Sequence, residues 1–348
     1  YIDRLSRIPA VMEMPYNDII RKFIDMYAGR LRNQVSFMLS ACNFYMPIFE
    51  EALDAYGLPL ELRYLPIIES ALTPSAVSRA GASGLWQFMI GTGKIYGLES
   101  NSLVDERRDP IKATWAAARY LKEMYDIYGD WNLVIAAYNC GPGTINKAIR
   151  RANGETDYWK IYNYLPKETR GYVPAFIAAN YVMTYYCDHN ICPMETNIPA
   201  STDTVQVNQN LHFEQIADLC NVPLDQIKSL NPQYKKQMIP GDSKPYTLRL
   251  PIDAISTFID KQDTIYAHRA DELFRNRKTV AVKDITPATR KTTTAVAGKG
   301  KLTYYTIKSG DTLSTIAGKY GVTIKDIQRW NGMSNTKIAA GKRLKIYK

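Results

Sequence analysis

Metal-ligating side chains are scarce in this chain of 348 residues. It has three histidines, His189, His212 and His268, and its five cysteines form no CxxC pair. Metal centres need several such ligands at close, regular spacing, so the sequence predicts no metal site and no other cofactor. Cys187 and Cys192 are close enough to pair in an oxidising compartment, and small buried thiols are the equal alternative.

Long hydrophobic runs are also missing. Apolar residues make up 46% of the chain, yet no run approaches the roughly 20 residues that span a bilayer. We therefore predict no transmembrane segment in the given chain. The first residue is Tyr1 rather than methionine, so we infer a processed or trimmed chain in which a secretion signal or lipid anchor would not be visible.

Acidic residues are rare in one part of the chain only. Residues 285–348 contain 13 Lys and Arg against 2 Asp, a net charge of +11, whereas residues 1–284 have a net charge of −1. This basic region points to an anionic partner such as nucleic acid, a membrane surface or an acidic polymer. The alternative is that the charge only keeps a small module in solution.

Apolar residues at helical spacing predict an all-α region over residues 17–188. Gly57 and Gly129 follow two of the apolar stretches, as glycines do at helix ends. The predicted helices cover residues 47–56, 112–128, 131–138 and 168–186.

An internal repeat follows this helical region. Predicted strands at 204–207 and 246–250, and again at 304–307 and 343–347, each bracket two short helical patterns. At one constant offset, Phe213, Ile216, Ala217, Val222, Ile227 and Asn231 match Leu313, Ile316, Ala317, Val322, Ile327 and Asn331. Matching apolar positions in such small units predict two βααβ modules of one fold.

The second unit contains Tyr305-Thr-Ile-Lys-Ser-Gly-Asp-Thr-Leu313, Trp330-Asn331 and Gly341-Lys-Arg-Leu344. These motifs resemble LysM domains, which bind glycans that contain N-acetylglucosamine. A glycine permits a sharp turn, Asp or Thr can cap the next helix, and nearby backbone amides suit an acetamido group. The resemblance implies that the glycan-binding residues are Gly310, Asp311, Thr312, Leu313 and Ile338. The first unit has Asn210-Leu211 in place of Gly310-Asp311, so sugar binding and a packing role are equal alternatives there.

One glutamate stands between an apolar run and a loop of Gly and Ser. Leu65, Ile67 and Ile68 precede Glu69, and residues 81–84 read Gly-Ala-Ser-Gly. An apolar wall disfavours the charged form of a carboxylic acid and raises its pKa. An acid that is protonated near neutral pH can donate a proton to a leaving group. The alternative is a solvated glutamate at a helix end.

Three blocks between residues 60 and 180 resemble the catalytic domain of lytic transglycosylases, the lysozyme-like family that cleaves peptidoglycan. The blocks are Glu69-Ser70-Ala71 with Ser78 and Gly81-Ala-Ser-Gly-Leu-Trp-Gln87, then Ala136-Ala-Tyr-Asn-Cys-Gly-Pro-Gly143, then Arg170-Gly-Tyr-Val-Pro174. A catalytic domain, two LysM-like units and a linker are together similar to the membrane-bound D type of this family.

The resemblance implies a mainly α fold and roles for six residues. Glu69 would be the catalytic carboxylate, first as acid and then as base. The implied substrate-binding residues are Ser78, Gln87, Tyr138, Asn139 and Tyr172. Tyr172 would hydrogen-bond and orient Glu69. The alternatives are loop hydrogen bonds for Ser78 and Gln87, a turn cap for Asn139 and core packing for Tyr172.

The reaction implied by the resemblance needs no second carboxylate, which most glycosidases require. The C6 hydroxyl of the substrate's own muramic acid would attack, with the large effective molarity of an intramolecular group. One alternative is a hydrolytic muramidase in which a carboxylate from Asp105, Glu106 or Asp109 activates water. Others are a catalytically dead cell-wall scaffold and nucleic-acid binding by the basic region.

We expect peptidoglycan glycan strands as the partner, no nucleic acid, and a monomer. The expected location is the periplasm or cell envelope, with lipid anchoring of the precursor as one option. The predicted organisation is a catalytic domain with an N-terminal helical extension over 1–195, a degenerate LysM-like module over 203–251, a connector over 252–284, a flexible linker over 285–302 and a LysM domain over 303–348.

Overall fold

The structure is a computed structural model, and it describes residues 1–196, 198–199, 201–274, 302–308, 311–333, 338 and 341–347. The chain forms two compact units, residues 1–285 and 286–348. Gly310, nearly all of the predicted linker and the end of the predicted connector lie outside the described residues. Within the described ranges, every helix is too short or too polar to cross a membrane.

The first 195 residues are helical, as predicted. The α-helices are α1 (Ile2–Ser6), α2 (Asp18–Ala28), α3 (Arg32–Ala55), α4 (Leu65–Ser70), α5 (Ile90–Ile95), α6 (Pro110–Tyr128), α7 (Trp131–Cys140), α8 (Pro142–Arg151), α9 (Tyr158–Ile161) and α10 (Lys167–Thr184). Short 3₁₀ helices cover Leu60–Tyr64, Glu106–Arg108, Tyr162–Tyr164 and Cys187–His189. The mainly α fold class is confirmed.

The prediction that a helix begins at Pro47 is wrong. Pro47 lies inside α3, which begins fifteen residues earlier at Arg32. A proline inside a helix removes one backbone hydrogen bond and crowds the preceding turn. Here the helix continues because Phe49, Ala52 and Leu53 just beyond the proline are completely buried, and that packing outweighs the local cost.

A buried tryptophan anchors the segment that leads to Gln87. Trp86 is 0% exposed. Its ring packs edge to face on Phe49, with the ring centroids 5.3 Å apart, and its Nε1 donates to Thr114 Oγ1 at 2.9 Å. Because α3 and α6 supply these partners, the two long helices fix the position of the loop that follows α4.

The first LysM-like module, predicted over residues 203–251, belongs to the same compact unit as helices α1–α10. Its elements are β1 (Thr202–Val207), β2 (Asn210–His212), α11 (Phe213–Cys220), α12 (Leu224–Leu230), β3 (Met238–Pro240) and β4 (Tyr246–Pro251). β1 pairs antiparallel with β4, as the predicted βααβ order requires. β2 pairs with β3 in a second ribbon that the sequence did not predict.

Three further helices follow this module in the connector. They are α13 (Ile252–Asp260), α14 (Gln262–Ala267) and α15 (Ala270–Leu273). α13 packs against α11 and both module strands β1 and β4. Phe258 and Ile265, at 1% and 0% exposure, extend the hydrophobic core of the module, so the described part of the connector is continuous with it.

The second compact unit contains β5 (Leu302–Thr306), α16 (Leu313–Tyr320), α17 (Ile324–Asn331) and β6 (Arg343–Tyr347), and the two strands pair antiparallel. Each helix begins at a threonine that forms a capping box, Thr312 with Thr315 and Thr323 with Asp326. Such caps satisfy backbone N–H groups at the helix start. This confirms the βααβ arrangement predicted from the repeat.

All five cysteine thiols, each within the described residues, are unpaired. Cys187 and Cys192 are exposed, so neither of the two alternatives left open by the sequence, a disulfide or buried thiols, is observed for these two.

Candidate active site

Glu69 lies on the last turn of α4. The helix ends there because Ala71 and Leu72 both take left-handed backbone conformations, with φ of 50° and 57°. Residues with a side chain seldom adopt this region, which places a sharp turn at a defined position. The glutamate lines a cavity of about 410 Å³ at the end of the helix.

The cavity brings together three of the predicted site residues, Glu69, Ser78 and Gln87. Another part of its wall comes from residues that sequence reasoning missed, namely Tyr27, Leu31, Gln34 and Met38. They belong to α2, α3 and the turn between them, ahead of the first recognisable motif. The only sequence signal was helical spacing of apolar residues, which does not distinguish a cavity wall from a core.

The pKa of Glu69 is raised to about 7, above the usual range of a carboxylic acid. Burial is the main cause, since desolvation penalises the carboxylate. A hydrogen bond from the Tyr172 hydroxyl to Glu69 Oε1 opposes this shift, and the negative charge of Glu168 adds to it. A substantial fraction of Glu69 is therefore protonated at neutral pH. Glu168 had no motif in the sequence and was not predicted.

Tyr172 reaches Glu69 from α10, which is more than a hundred residues further along the chain. It is 9% exposed. Burial, followed by the charge of Glu69, raises the pKa of Tyr172 well above its usual value. The phenol therefore remains protonated and donates its hydrogen to the carboxyl group across the physiological pH range.

Ser78 and Gln87 shape the loop that they belong to. Gln87 has a φ of 49°, and its Nε2 donates to Gly84 O at 2.8 Å. Ser78 Oγ accepts a hydrogen bond from Ala82 N at 3.0 Å. Both side chains line the cavity while holding the loop, so their loop contacts fix their positions beside Glu69.

Two hydroxyl groups hold the main chain just before Gln87. The Tyr138 hydroxyl donates to Trp86 O at 2.7 Å, and Ser70 Oγ lies 2.9 Å from Leu85 O. Ser70, the neighbour of Glu69, was quoted in the first motif but not proposed as a site residue. The structure thus ties the helix that carries the acid to the loop that carries Gln87.

Tyr138 and Asn139 are not among the described residues that line the Glu69 cavity. Asn139 Oδ1 accepts a hydrogen bond from Thr169 Oγ1 at 2.8 Å, which joins α7 to α10. The negative charge of Glu69 contributes to raising the pKa of Tyr138, after the larger effect of burial. Tyr138 is therefore an electrostatic neighbour of the acid, whereas Asn139 contacts the helix that carries Tyr172.

The three carboxylates considered for water activation have other partners. Asp105 is buried and pairs with Arg107 at 2.8 Å. Glu106 is buried and pairs with Lys112. Asp109 caps α6 by accepting from the backbone N–H groups of its first turn. None of the three is among the described residues that line the cavity around Glu69.

A larger cavity, about 1100 Å³ in volume, is lined in part by residues 72–75. Its walls come from both the helical region and the first LysM-like module and include the aromatic residues Phe37, Phe44, Phe213 and Tyr234. It does not include Glu69. Volume alone therefore does not single out the candidate catalytic cavity, which we assign from Glu69 and its raised pKa.

The predicted glycan-binding loop of the second unit is described in part. Asp311 Oδ2 accepts from Lys308 N and from the Tyr305 hydroxyl, each at 2.8 Å. Thr312, rather than Asp311, caps α16. Leu313 is buried at 1% exposure, and Ile338 is half-buried against the same core.

Three family models match successive parts of the chain. The Transglycosylase SLT domain matches residues 46–161, the model described as "Lytic transglycosylase MltD, LysM-like domain" matches 201–267, and the LysM domain matches 305–346. The first match spans the motif with Glu69 and the motif with Tyr138.

Known relatives agree with these matches. Membrane-bound lytic murein transglycosylase D of Escherichia coli K12 is 31% identical over 339 residues, which is 96% of this chain and 70% of the relative. The soluble lytic murein transglycosylase of the same strain is 32% identical over 34% of this chain and 19% of the relative. The crystal structure of the 70 kDa soluble lytic transglycosylase Slt70 from E. coli is 29% identical and covers 41% of this chain and 24% of that chain, with a TM-score of 0.36.

Nearly the whole of this sequence therefore aligns with most of one characterised relative, and its three domain matches stand in the order SLT, LysM-like, LysM. The chain belongs to the lytic transglycosylase family.

Proposed function

We propose that this enzyme cleaves the β-1,4 bond between N-acetylmuramic acid and N-acetylglucosamine in peptidoglycan without adding water. The observation that carries the proposal is a single glutamate, Glu69, whose pKa is raised to about 7, in a cavity whose described lining holds no second Asp or Glu. Such a site supplies one acid–base group, which favours the substrate as the source of the attacking group.

The proposed reaction has two proton transfers. Glu69 first donates its proton to the glycosidic oxygen as the bond from that oxygen to C1 breaks. The C6 hydroxyl of muramic acid then attacks C1, and Glu69 takes the proton of that hydroxyl. The products are a new free hydroxyl on the leaving sugar and a 1,6-anhydro muramyl end. An intramolecular attack of this kind has a large effective molarity, and the substrate's N-acetyl group stabilises the charge at C1.

The other site residues have positioning or binding roles in this proposal. Tyr172 orients the Glu69 carboxyl through its hydroxyl. Ser78 and Gln87 contact the sugars and their acetamido groups from the loop. Tyr138 holds the main chain just before Gln87, and Asn139 links α7 to the helix of Tyr172.

Mass analysis of a digest of purified glycan strands tests the reaction type. The expected muramyl products carry 1,6-anhydro ends, with a total mass equal to that of the substrate. Products heavier by one water per cleavage would contradict the proposal.

Glu69→Gln keeps an acceptor for the Tyr172 hydroxyl and should abolish cleavage, whereas a catalytically dead scaffold would show no cleavage in either form.

Hydrolysis is the second candidate, because of Glu168. This exposed residue lies in the first turn of α10 and is close enough to Glu69 to raise the pKa of Glu69. A muramidase could use it to activate water from outside the cavity. In that case Glu168→Gln would abolish cleavage, and the wild-type products would carry reducing ends.

The partner proposed for the whole chain is the peptidoglycan glycan strand, which the SLT and LysM matches support. We propose that the second LysM unit binds the glycan strand through residues 310–313 and 338, and that the basic region has no nucleic-acid partner. We also propose that the enzyme is a monomer and that its domains have the predicted boundaries. We also propose a periplasmic or cell-envelope location, which the similarity to a membrane-bound relative supports, with lipid anchoring of the precursor as one option.

A further inference from the structure

The first LysM-like module is joined to the catalytic helices by main-chain hydrogen bonds. Asp105 N donates to Gln233 O at 2.9 Å, and Lys235 N donates to Leu103 O at 2.8 Å. Leu103 and Val104 are 3% and 0% exposed and belong to the hydrophobic core of the module rather than to the core of the helices. A catalytic-domain segment therefore completes the module, and the two share one interior.

A buried ion pair connects this junction to the loop that holds Gln87. Arg107 Nε and Nη2 each lie 2.8 Å from a carboxylate oxygen of Asp105. Arg107 Nη1 donates to Gly81 O at 2.8 Å and to Phe88 O at 2.9 Å. These two carbonyls stand at the two ends of the loop. Asp105 and Arg107 are 1% and 5% exposed, so water does not compete for these bonds.

The loop also lies directly against the backbone of this pair. A Cβ atom at Gly84 would lie 1.7 Å from Arg107 O, and Gly84 has a φ of +89°. Arg108 Nε donates to Ser83 Oγ at 3.0 Å. The position of the loop is therefore set by residues 107 and 108, whose own position depends on Asp105.

Lys235 supplies a charge to this network from the module side. Its Nζ donates to Asn101 O at 2.7 Å and lies 3.8 Å from Asp105 Oδ2. Removal of the ammonium would leave a buried carbonyl without its donor and Asp105 with one cation fewer. Loss of a buried partner of this kind is costly.

The segment of the first module that corresponds to the predicted glycan-binding loop is paired within the module. Leu211 pairs with Ile239 in the ribbon formed by β2 and β3, and both are 0% exposed. Phe213 N, which matches Leu313 in the repeat, donates to Gln237 O at 2.8 Å. The backbone amide of Phe213 is thus engaged inside the first module and does not offer its hydrogen to an acetamido group.

We propose that the first LysM-like module is a fixed part of the catalytic unit, and that Lys235, Asp105 and Arg107 are positioning residues that hold residues 81–88 against the substrate. The inference rests on the proposed function, which places Gln87 at the sugar. Small displacements of substrate-positioning groups lower rates steeply, by as much as about a hundredfold per ångström.

Lys235→Met in the full chain tests this role, with Lys228→Met as the matched control. Lys228 is on the same module, and its Nζ lies 3.1 Å from Asp225 of that module. We expect Lys235→Met to lower kcat/KM on a short soluble glycan about tenfold per folded molecule, with a fall in kcat as well as a rise in KM. Lys228→Met should match the wild type, and Lys235→Arg should recover most of the activity.

The folded fraction of each variant is measured by urea unfolding at the assay temperature, and Lys235→Gln replaces Lys235→Met if the methionine variant does not fold. Equal activity per folded molecule in the Lys235 and Lys228 variants would overturn the inference. Failure of the proposed function looks different, because Glu69→Gln would then still cleave glycan or the products would contain added water.

Discussion

Burial keeps Glu69 partly protonated at neutral pH, and two neighbours from α10 adjust that balance in opposite directions. The Tyr172 hydroxyl favours the carboxylate by hydrogen bonding to it, whereas the charge of Glu168 disfavours it. A general acid is most useful when its pKa is near the working pH. In the proposed reaction, the three residues together therefore set the pH range over which Glu69 can donate a proton.

The pH dependence of cleavage follows from the pKa of Glu69, about 7. The proposed reaction begins from the protonated acid, so kcat on soluble glycan should be highest below that value and fall about tenfold per pH unit well above it. A pH–rate profile of the wild type measures this. A profile that rises through pH 7 would mean that the carboxylate, not the acid, begins the reaction.

The same pKa predicts a pH-dependent stability. A carboxyl group whose pKa is raised on folding favours the native state less as pH rises from its unfolded value of about 4.3 through 7. Glu69→Gln removes this effect. Between pH 4 and pH 8, the free energy of unfolding of the wild type should therefore fall by up to about 3 kcal/mol more than that of Glu69→Gln. Urea unfolding at the two pH values measures the difference. An unchanged difference would contradict burial as the cause.

Tyr172→Phe should lower kcat by about tenfold or more, because a hydrogen bond to a charged group is worth about 1.5–3 kcal/mol. It should also move the alkaline limb of the pH–rate profile to higher pH. The lost hydrogen bond favours the carboxylate, so its removal raises the pKa of Glu69. Tyr181→Phe is the control, because Tyr181 is another buried tyrosine on α10 whose hydroxyl contacts Arg4. Equal effects of the two variants would indicate packing alone.

Glu168→Gln should move the alkaline limb of the pH–rate profile to lower pH, because it removes a negative charge that raises the pKa of Glu69. The product masses should not change. Glu155→Gln provides the comparison, since Glu155 is exposed and pairs with Lys160. Complete loss of cleavage in Glu168→Gln would instead support the hydrolytic candidate.

Much of the environment of Glu69 could be predicted from its near neighbours in sequence, and the rest could not. The apolar wall is visible in Leu65, Ile67 and Ile68, which precede it in one run. Tyr172 was suggested only by the order of family motifs. Glu168 and Gln34 carry no local pattern, because their approach to the cavity depends on how α10 and α3 pack.

Among the helices and strands, those with strong local signals were predicted well. α6 was expected to end before Gly129, and that glycine has a φ of +62°, the left-handed conformation typical of helix ends. The ribbon of β2 and β3 was missed, because each strand has only three residues and β3 includes Pro240. Such strands form through pairing partners that are distant in the chain rather than through propensity.

The cap of α6 gives a test for one of the carboxylates considered for hydrolysis. Asp109 Oδ1 accepts from Ile111 N and Lys112 N at 2.9 and 3.0 Å. Asp109→Ala should therefore cost about 1 kcal/mol in the free energy of unfolding, whereas Asp109→Asn should keep most of that stability. Both variants should cleave glycan at the wild-type rate per folded molecule. Loss of activity in the stable asparagine variant would assign Asp109 a catalytic role.

At the scale of the whole molecule, the basic region of the sequence coincides with the second compact unit, which also contains the LysM match. The net charge of +11 belongs to residues 285–348, and the second compact unit begins at residue 286. That unit matches the LysM model over residues 305–346. A binding unit attached to an enzyme raises the local concentration of the enzyme on its polymer.

Deletion of residues 285–348 should accordingly weaken binding to purified sacculi and leave the cleavage of short soluble glycan unchanged. Binding is measured by co-sedimentation, with Glu69→Gln in both the full and the shortened chain so that the sacculi stay intact. Equal sedimentation of the two forms would show that the second LysM unit is not the main binding element.

The wall formed by Tyr27, Leu31, Gln34 and Met38 has a practical consequence for anyone who wants a minimal enzyme. The SLT match begins at residue 46 and ends at residue 161, so a fragment cut at those borders would omit that wall and Tyr172 as well. A transfer of residues 46–161 into another protein would carry Glu69 without the tyrosine that hydrogen-bonds to it. In this chain the part matched by the SLT model is smaller than the part that forms the cavity around Glu69.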